Sequence, residues 1–405
     1  MGTPTETSEN SIHSSIEYRK FDWTFIAGLF FTILLSGSVQ YFNIYSLAAI
    51  NFVLQLILLY KAKFQLSRAI VPASIFAFAY LTYSIILQGT HDFIYIAFRF
   101  HDIITAILLL SYAIVKKIDF KRHLEIVLIG LVAHGLASWI LSTLAFNLFS
   151  QVPGIKSYRF LLFFGMNETS HGIHRSQGLF WEPGVYQIYL NVALHYFLFY
   201  TQKRKFALIS FISIILTLST TGVVLASIQL LVFLFGTRQR LSNKMIKIII
   251  SLPLLIVYLN FTQSAVNEKL FGSERGSFLA REFDARNGIN VALQNPFGIG
   301  FNPENYQKFA RNNTFDIKTK IDTDRGQTNG ILILAYSTGI PWAILILTLT
   351  FRQKVFPKHS VLFFIVIFVS LLSEPLFYSP FVWLFPISAM LRKADTRIQR
   401  ATTTA

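Results

Sequence analysis

The chain is 405 residues long, 53% hydrophobic and only 14% charged, with a formal net charge of +16 and no cysteine. That composition excludes a soluble domain of this size, and the missing cysteines exclude disulfides, thiolate metal sites and cysteine nucleophiles. Most of the positive charge lies in short gaps between apolar runs, where anionic lipid and membrane insertion account for it, so no nucleic-acid partner is expected.

Residues 1–18 are rich in Ser, Thr and Glu and hold no apolar run, which predicts a disordered cytoplasmic tail rather than a cleaved signal. Apolar runs follow near 22–37, 41–60, 69–87, 93–115, 123–149, 183–200, 206–219, 222–236, 245–260, 329–350, 360–373 and 376–391. They predict an all-α, polytopic membrane bundle of about 12 spans. The paired runs within 206–236 and 360–391 are each shorter than the roughly 20 residues a perpendicular helix needs, so tilted or half-crossing helices are expected there.

The gaps alternate in charge. Arg19–Lys20, Lys61–Arg68, Lys116–Arg122, Lys203–Lys205, Arg238–Lys247, Arg352–Lys358 and Arg392–Arg400 are basic, whereas Ser36–Gln40, Gln88–Asp92, Ser219–Gly222 and Ser373–Pro375 are nearly free of charge. Basic gaps face the cytoplasm. Both termini, including the tail 394–405, are therefore expected inside, and the long loops 150–182 and 261–328 outside, in the periplasm of a bacterial inner membrane. No internal repeat or hydrophilic linker divides the chain, and residues 19–393 read as one membrane domain.

Charges inside a bundle are costly and mark its working parts, so the outward gaps and the buried charges carry the chemistry. The first outer turn, Ser36–Gln40, has no acid, which excludes the lipid-dependent glycosyltransferases that place carboxylates there. Arg99, His101 and Asp102 lie about 10 Å below the outer end of the fourth span by helical rise, and Arg99 and Asp102, at i and i+3, are spaced for an ion pair or for substrate binding. His134 and His195 read as hydrogen-bonding core histidines. The densest outer cluster runs from His171 and His174 through Arg175 to Glu182, Pro183 and Gly184. Pro183 suits a first helical position, which puts Glu182 at the cap and free backbone N–H groups beside Arg175, an anion-binding arrangement. A cap paired with Arg175 at the headgroups is the plainer alternative.

The second long loop is basic against the positive-inside trend. Residues 276–294 predict an amphipathic surface helix carrying Arg281 and Arg286, closed by the glycines of Asn295–Phe301. A solvated, salt-bridged face is the competing reading for each arginine, Arg325 included. Asp322-Thr-Asp324 has the form of a metal-binding Asp-x-Asp string, but so short a pattern arises by chance, and no metal is assigned. Glu374-Pro375 and Tyr378, at the last outer turn, suit either a turn cap or a sugar contact.

Several of these strings, taken in order, resemble the Wzy-type O-antigen and exopolysaccharide polymerases and the related O-antigen ligases. Arg175-Ser-Gln-Gly-Leu-Phe-Trp-Glu182-Pro183-Gly184 is similar to their arginine-to-glutamate-proline segment. Leu216–Gly222 resembles their short turn between spans, Arg281 ahead of Asn295-Pro-Phe-Gly-Ile-Gly-Phe301 resembles their arginine before a glycine element, and Thr328-Asn329-Gly330 stands where the ligases typically carry His-Asn. The likeness covers roughly 150–345. It implies transfer of glycan from an undecaprenyl-diphosphate carrier to another lipid-linked glycan, with inversion and no nucleotide sugar or other cofactor. Thr328 in place of histidine favours a polymerase over a ligase.

The resemblance and the chemistry of phosphate leaving groups together make Arg175 and Arg281 the groups for the diphosphate, with Arg286 or Arg325 as substitutes, and Glu182 the nearest base, with His171 or His174 as alternatives. Asn329 and Arg99 join them as substrate-binding candidates. Membrane lipid, a chain-length regulator and a flippase are the partners such a pathway implies. A lipid-linked glycan flippase would share the topology, though not the arginine-rich loop, and a noncatalytic scaffold is the remaining class.

Overall fold

The computed structural model describes residues 21–38, 44–88, 93–153, 157–167, 169–170, 173–236, 263, 275–312 and 328–391. Apolar helices dominate them. The helices are α1 Trp23–Leu34, α2 Ile44–Lys61, α3 Val71–Gln88, α4 Phe93–Val115, α5 Phe120–Leu144, α6 Pro183–Phe199, α7 Arg204–Leu216 and α8 Thr220–Gly236, then α9 Arg275–Gln294, α10 Pro303–Asn312, α11 Gly330–Thr338, α12 Ile340–Phe351, α13 Ser360–Ser373 and α14 Pro380–Ala389. Helices over 68–87, α4 and α5 are each long and apolar enough to cross a membrane, and shorter apolar helices surround them. The chain is an all-α, multi-pass membrane bundle.

Local chemistry sets the starts. Asp22 caps α1 by accepting from the backbone N–H groups of Thr24 and Phe25, and Asp119 caps α5 in the same way. Pro183 and Pro380 open α6 and α14, where a missing N–H costs nothing. Every residue of α6 is buried, which makes it the axis of the bundle, packed against α5, α7, α8 and α13. α14 is nearly as enclosed, between α1, α4 and α12. His195 lies in that interior among Phe199, Phe356 and Phe363.

Three sequence expectations change. The span foreseen at 123–149 ends at Leu144, because Phe146 turns away to stack on Phe149, Tyr158 and His174 of the outer loop. The polar loop 150–182 holds two small sheets: β1 Ser150–Gln151, β2 Ser157–Phe160 and β3 Phe163–Met166 pair antiparallel, as do β4 Thr169–Ser170 and β5 Ile173–His174. The span foreseen at 329–350 is two helices, broken at Gly339, whose φ of 89° is open to glycine, ahead of Pro341. The segment 295–301 fills the break. The N–H of Ile340 donates to the Pro296 carbonyl at 2.8 Å, and those of Ile299 and Gly300 donate to the Tyr336 and Ser337 carbonyls. Backbone groups freed by the break are thus paired inside the protein, as membrane depth requires.

The span foreseen at 245–260 lies outside the described residues. A helix, α9, stands where 276–294 was foreseen, but it lacks the expected amphipathic face, since it buries Asp284 and Asn287 and exposes Ile289 and Leu293; the short α10 presents a clean buried side, Tyr306 and Ala310, opposite exposed Glu304 and Lys308.

Candidate functional site

The site assembles where the helix starts of α6 and α11 meet the end of α13. Glu182 is the N-cap of α6 by position, with extended backbone, but its side chain makes no capping hydrogen bond. The carbonyl of Gly37 accepts from the Trp181 N–H at 3.1 Å, and Ser38 bridges Phe180, so the first outer turn holds this strand-like approach in place. Arg175 is anchored from the other side. Its Nε donates to the Thr217 carbonyl at 3.3 Å, and the Ser176 N–H donates to that of Leu216, which ties it to the short turn between α7 and α8.

Glu374, in extended backbone just past α13, completes the arrangement. A Cβ on Gly184 would lie 1.9 Å from its Oε1, and one on Gly330 would lie 2.7 Å from its carbonyl oxygen, so both helix starts need glycine to admit it. The residue is buried. Desolvation, and then the charge of Glu182, push the Glu374 carboxyl up to about 8, while the guanidinium groups of Arg281 and Arg175 pull the other way. Two arginines and two carboxyl groups from three parts of the chain, the approach to α6, α9 and the end of α13, therefore share one electrostatic site. From the sequence alone Glu374 reads as a turn cap or sugar contact, a lone acid in an outer gap otherwise free of charge, and only the packing of Gly184 against it reveals the partnership.

The other candidates divide. Asn329 caps α11, its Oδ1 accepting from the N–H groups of Ile331 and Leu332 at 3.0 Å each. Thr328 donates to the buried Asp284 of α9 at 2.8 Å, which fixes that helix, and Arg281 on it, to the start of α11. Arg286 is exposed and paired with Glu282 at 2.5 Å, on the solvated face. His174 is folded into the outer loop: its Nδ1 lies 3.1 Å from the Met166 carbonyl, and its own carbonyl accepts from Trp139. Arg99 sits apart from the four, in a neighbouring cavity, paired with Asp102 at 3.6 Å. His171, Arg325, Asp322 and Asp324 lie outside the described residues.

This geometry defines a multi-pass membrane protein with an arginine–carboxylate site at the helix ends remote from its basic turns. Residues 206–347, from within α7 to within α12, match the O-antigen ligase family, and that match supports membership of the O-antigen ligase/polymerase superfamily. The family comprises glycosyl-transferring enzymes of O-antigen biosynthesis acting on lipid-linked glycans. A comparison with curated proteins finds no match. The matched segment contains Arg281, the broken helix and the Thr217–Gly222 turn that holds Arg175, whereas Arg175, Glu182 and Glu374 themselves lie outside it.

Proposed function

We propose that the protein polymerises undecaprenyl-diphosphate-linked repeat units into O-antigen or exopolysaccharide at the periplasmic face of the inner membrane. The observation that supports this is the convergence of Arg175, Arg281, Glu182 and Glu374 at one site. The acceptor hydroxyl oxygen attacks the anomeric carbon from the face opposite the phosphate. The bond from that carbon to the phosphate oxygen breaks, its electron pair leaves with the lipid diphosphate, and the hydroxyl proton passes to Glu182. Burial and the neighbouring Glu182 favour the protonated form of Glu374, which leaves the two guanidinium groups less than fully offset by carboxylate, and the surplus positive charge meets the developing charge on the leaving diphosphate.

Ligation to a different acceptor is the second reading, favoured by the family's description as O-antigen ligase. Thr328, engaged with Asp284 where ligases typically carry histidine, weighs against it. Purified protein given only the lipid-linked repeat unit, in EDTA, is expected to build a ladder of longer lipid-linked products. Product that stays at one unit until a lipid A-core acceptor is added makes the protein a ligase, and activity restored only by Mg²⁺ or Mn²⁺ replaces the arginine reading with a metal-dependent one.

A further inference from the structure

Beside the four-residue site lies a cavity of about 370 Å³, within the roughly 300–1,000 Å³ of small-molecule sites. It adjoins the site through Trp181 and Pro375, which directly flank Glu182 and Glu374 in sequence. Its walls come from the first outer turn, the approach to α6, and helices α4, α10 and α11, with Tyr378 from the turn before α14. The lining has a definite chemistry. Trp181, Tyr306, Tyr336 and Tyr378 supply aromatic rings, Asn302 and Gln307 supply amides, and Arg99 is the charged residue among those that line it. No carboxylate lines the cavity among the described residues.

Arg99 is held rather than loose. Its guanidinium lies over the Tyr378 ring at 4.1 Å, and Nη1 reaches Asp102 at 3.6 Å. Its Nε–H is buried and has no hydrogen-bond partner among the described residues. Shutting that one donor off from solvent without a protein acceptor is costly unless a ligand supplies one. Aromatic rings beside amides and hydroxyls are suited to the alternating apolar faces and polar edges of a sugar ring, and a fixed guanidinium adds selection for an anionic substituent.

Resting on the polymerase or ligase reading, we propose that this cavity binds one pyranose unit of the glycan substrate, a sugar that bears an anionic group read by Arg99. The adjoining position of Glu182 and Glu374 puts that unit next to the reacting bond, so the cavity selects which repeat unit is joined.

The test measures binding, not turnover, on purified full-length protein in detergent, by saturation-transfer NMR with glucuronate, glucose and inorganic diphosphate as probes. Glucuronate is expected to bind more tightly than glucose. Arg99→Lys, which keeps the charge facing Asp102 but loses the planar fork, is expected to weaken glucuronate by about tenfold or more while leaving glucose unchanged. Trp181→Leu and Tyr378→Leu, which leave the ion pair intact, are expected to weaken both sugars. Helical circular dichroism and gel filtration establish that each variant is folded. Equal binding of the two sugars, or no binding of either, overturns the proposal; Arg99-dependent binding of diphosphate in preference to glucuronate assigns the cavity to the carrier instead and overturns it too. Because no turnover is involved, failure here leaves the ladder assay standing, and a missing ladder with intact glucuronate binding rejects the polymerase reading alone.

Discussion

Under the proposed reaction the two arginines and two glutamates have different roles, and substitutions at them are expected to have different effects. Arg281→Ala and Arg175→Ala are each expected to cut polymer formation by about 100-fold or more, the scale of losing one donor aimed at developing charge, with the protein still in the membrane. Lysine is expected to restore little, since a point charge cannot make two parallel bonds to a phosphate. Wild-type ladders from either alanine variant would assign that arginine to a structural ion pair. Glu182→Gln keeps the shape and removes the base, so near-normal turnover would leave Glu182 an orienting role only. Glu374 carries a pH signature. A carboxyl whose pKa rises from 4.5 to about 8 on folding adds stability that is fully present below 4.5 and gone once pH passes about 8. The melting temperature in detergent is therefore expected to fall between those limits, and Glu374→Gln to flatten that part of the profile. Turnover is expected to fall above about pH 8, where ionised Glu374 competes with the diphosphate for the arginines.

Among the elements, what hydropathy marks and what packing decides are distinct. Most of the described spans stand near their sequence positions because a run of apolar residues long enough to cross a bilayer has few alternatives, and α4 begins and ends where its run does. Arg175, Arg281 and Glu182 are nameable as candidates from the sequence, Glu182 because a charge beside a helix-opening proline has a chemical meaning in isolation, and the arginines because of the strings they stand in. The break at Gly339 was not legible, since Ile331–Phe351 is apolar on both sides of it and only the plug of 295–301 shows why the helix must open. Glu374 was half legible for the same reason: its partners are distant in sequence. The break gives an element-scale test. A Cβ at Gly339 would sit 2.7 Å from the Phe297 backbone at a φ that side chains rarely adopt. Gly339→Ala is expected to cost on the order of 1–3 kcal/mol, read as a lower melting temperature and loss of polymer. Gly130→Ala, in α5 with nothing within 4 Å, is the control and is expected to change neither.

Among the described residues, contacts gather the helix ends that carry basic gaps on one side of the bundle. Asp22 links Lys61 and Tyr112, Lys203 pairs with Glu125, Lys121 lies over the Tyr200 ring at 4.7 Å, and Tyr200 accepts from the Lys358 N–H. These join gaps before α1, after α2, around Lys121, after α6 and before α13. The opposite end collects the weakly charged turns: Gly37 against Trp181, Tyr83 against Phe297, Phe301 against Tyr378. Charge asymmetry of this kind orients a bundle with its basic end in the cytoplasm, so the four-residue site is expected to face outward, where a lipid-linked glycan would arrive after flipping. The absence of native cysteine makes the test clean. Asn167 in the first outer loop, Glu304 on α10 and Gln65 after α2 are all exposed, and each takes a single cysteine without disturbing a buried contact. In spheroplasts an impermeant maleimide is expected to label Asn167→Cys and Glu304→Cys but not Gln65→Cys until the membrane is opened. Labelling of Gln65→Cys alone would invert the bundle, put the arginines in the cytoplasm beside soluble nucleotide sugars, and remove the reason for a lipid-diphosphate donor.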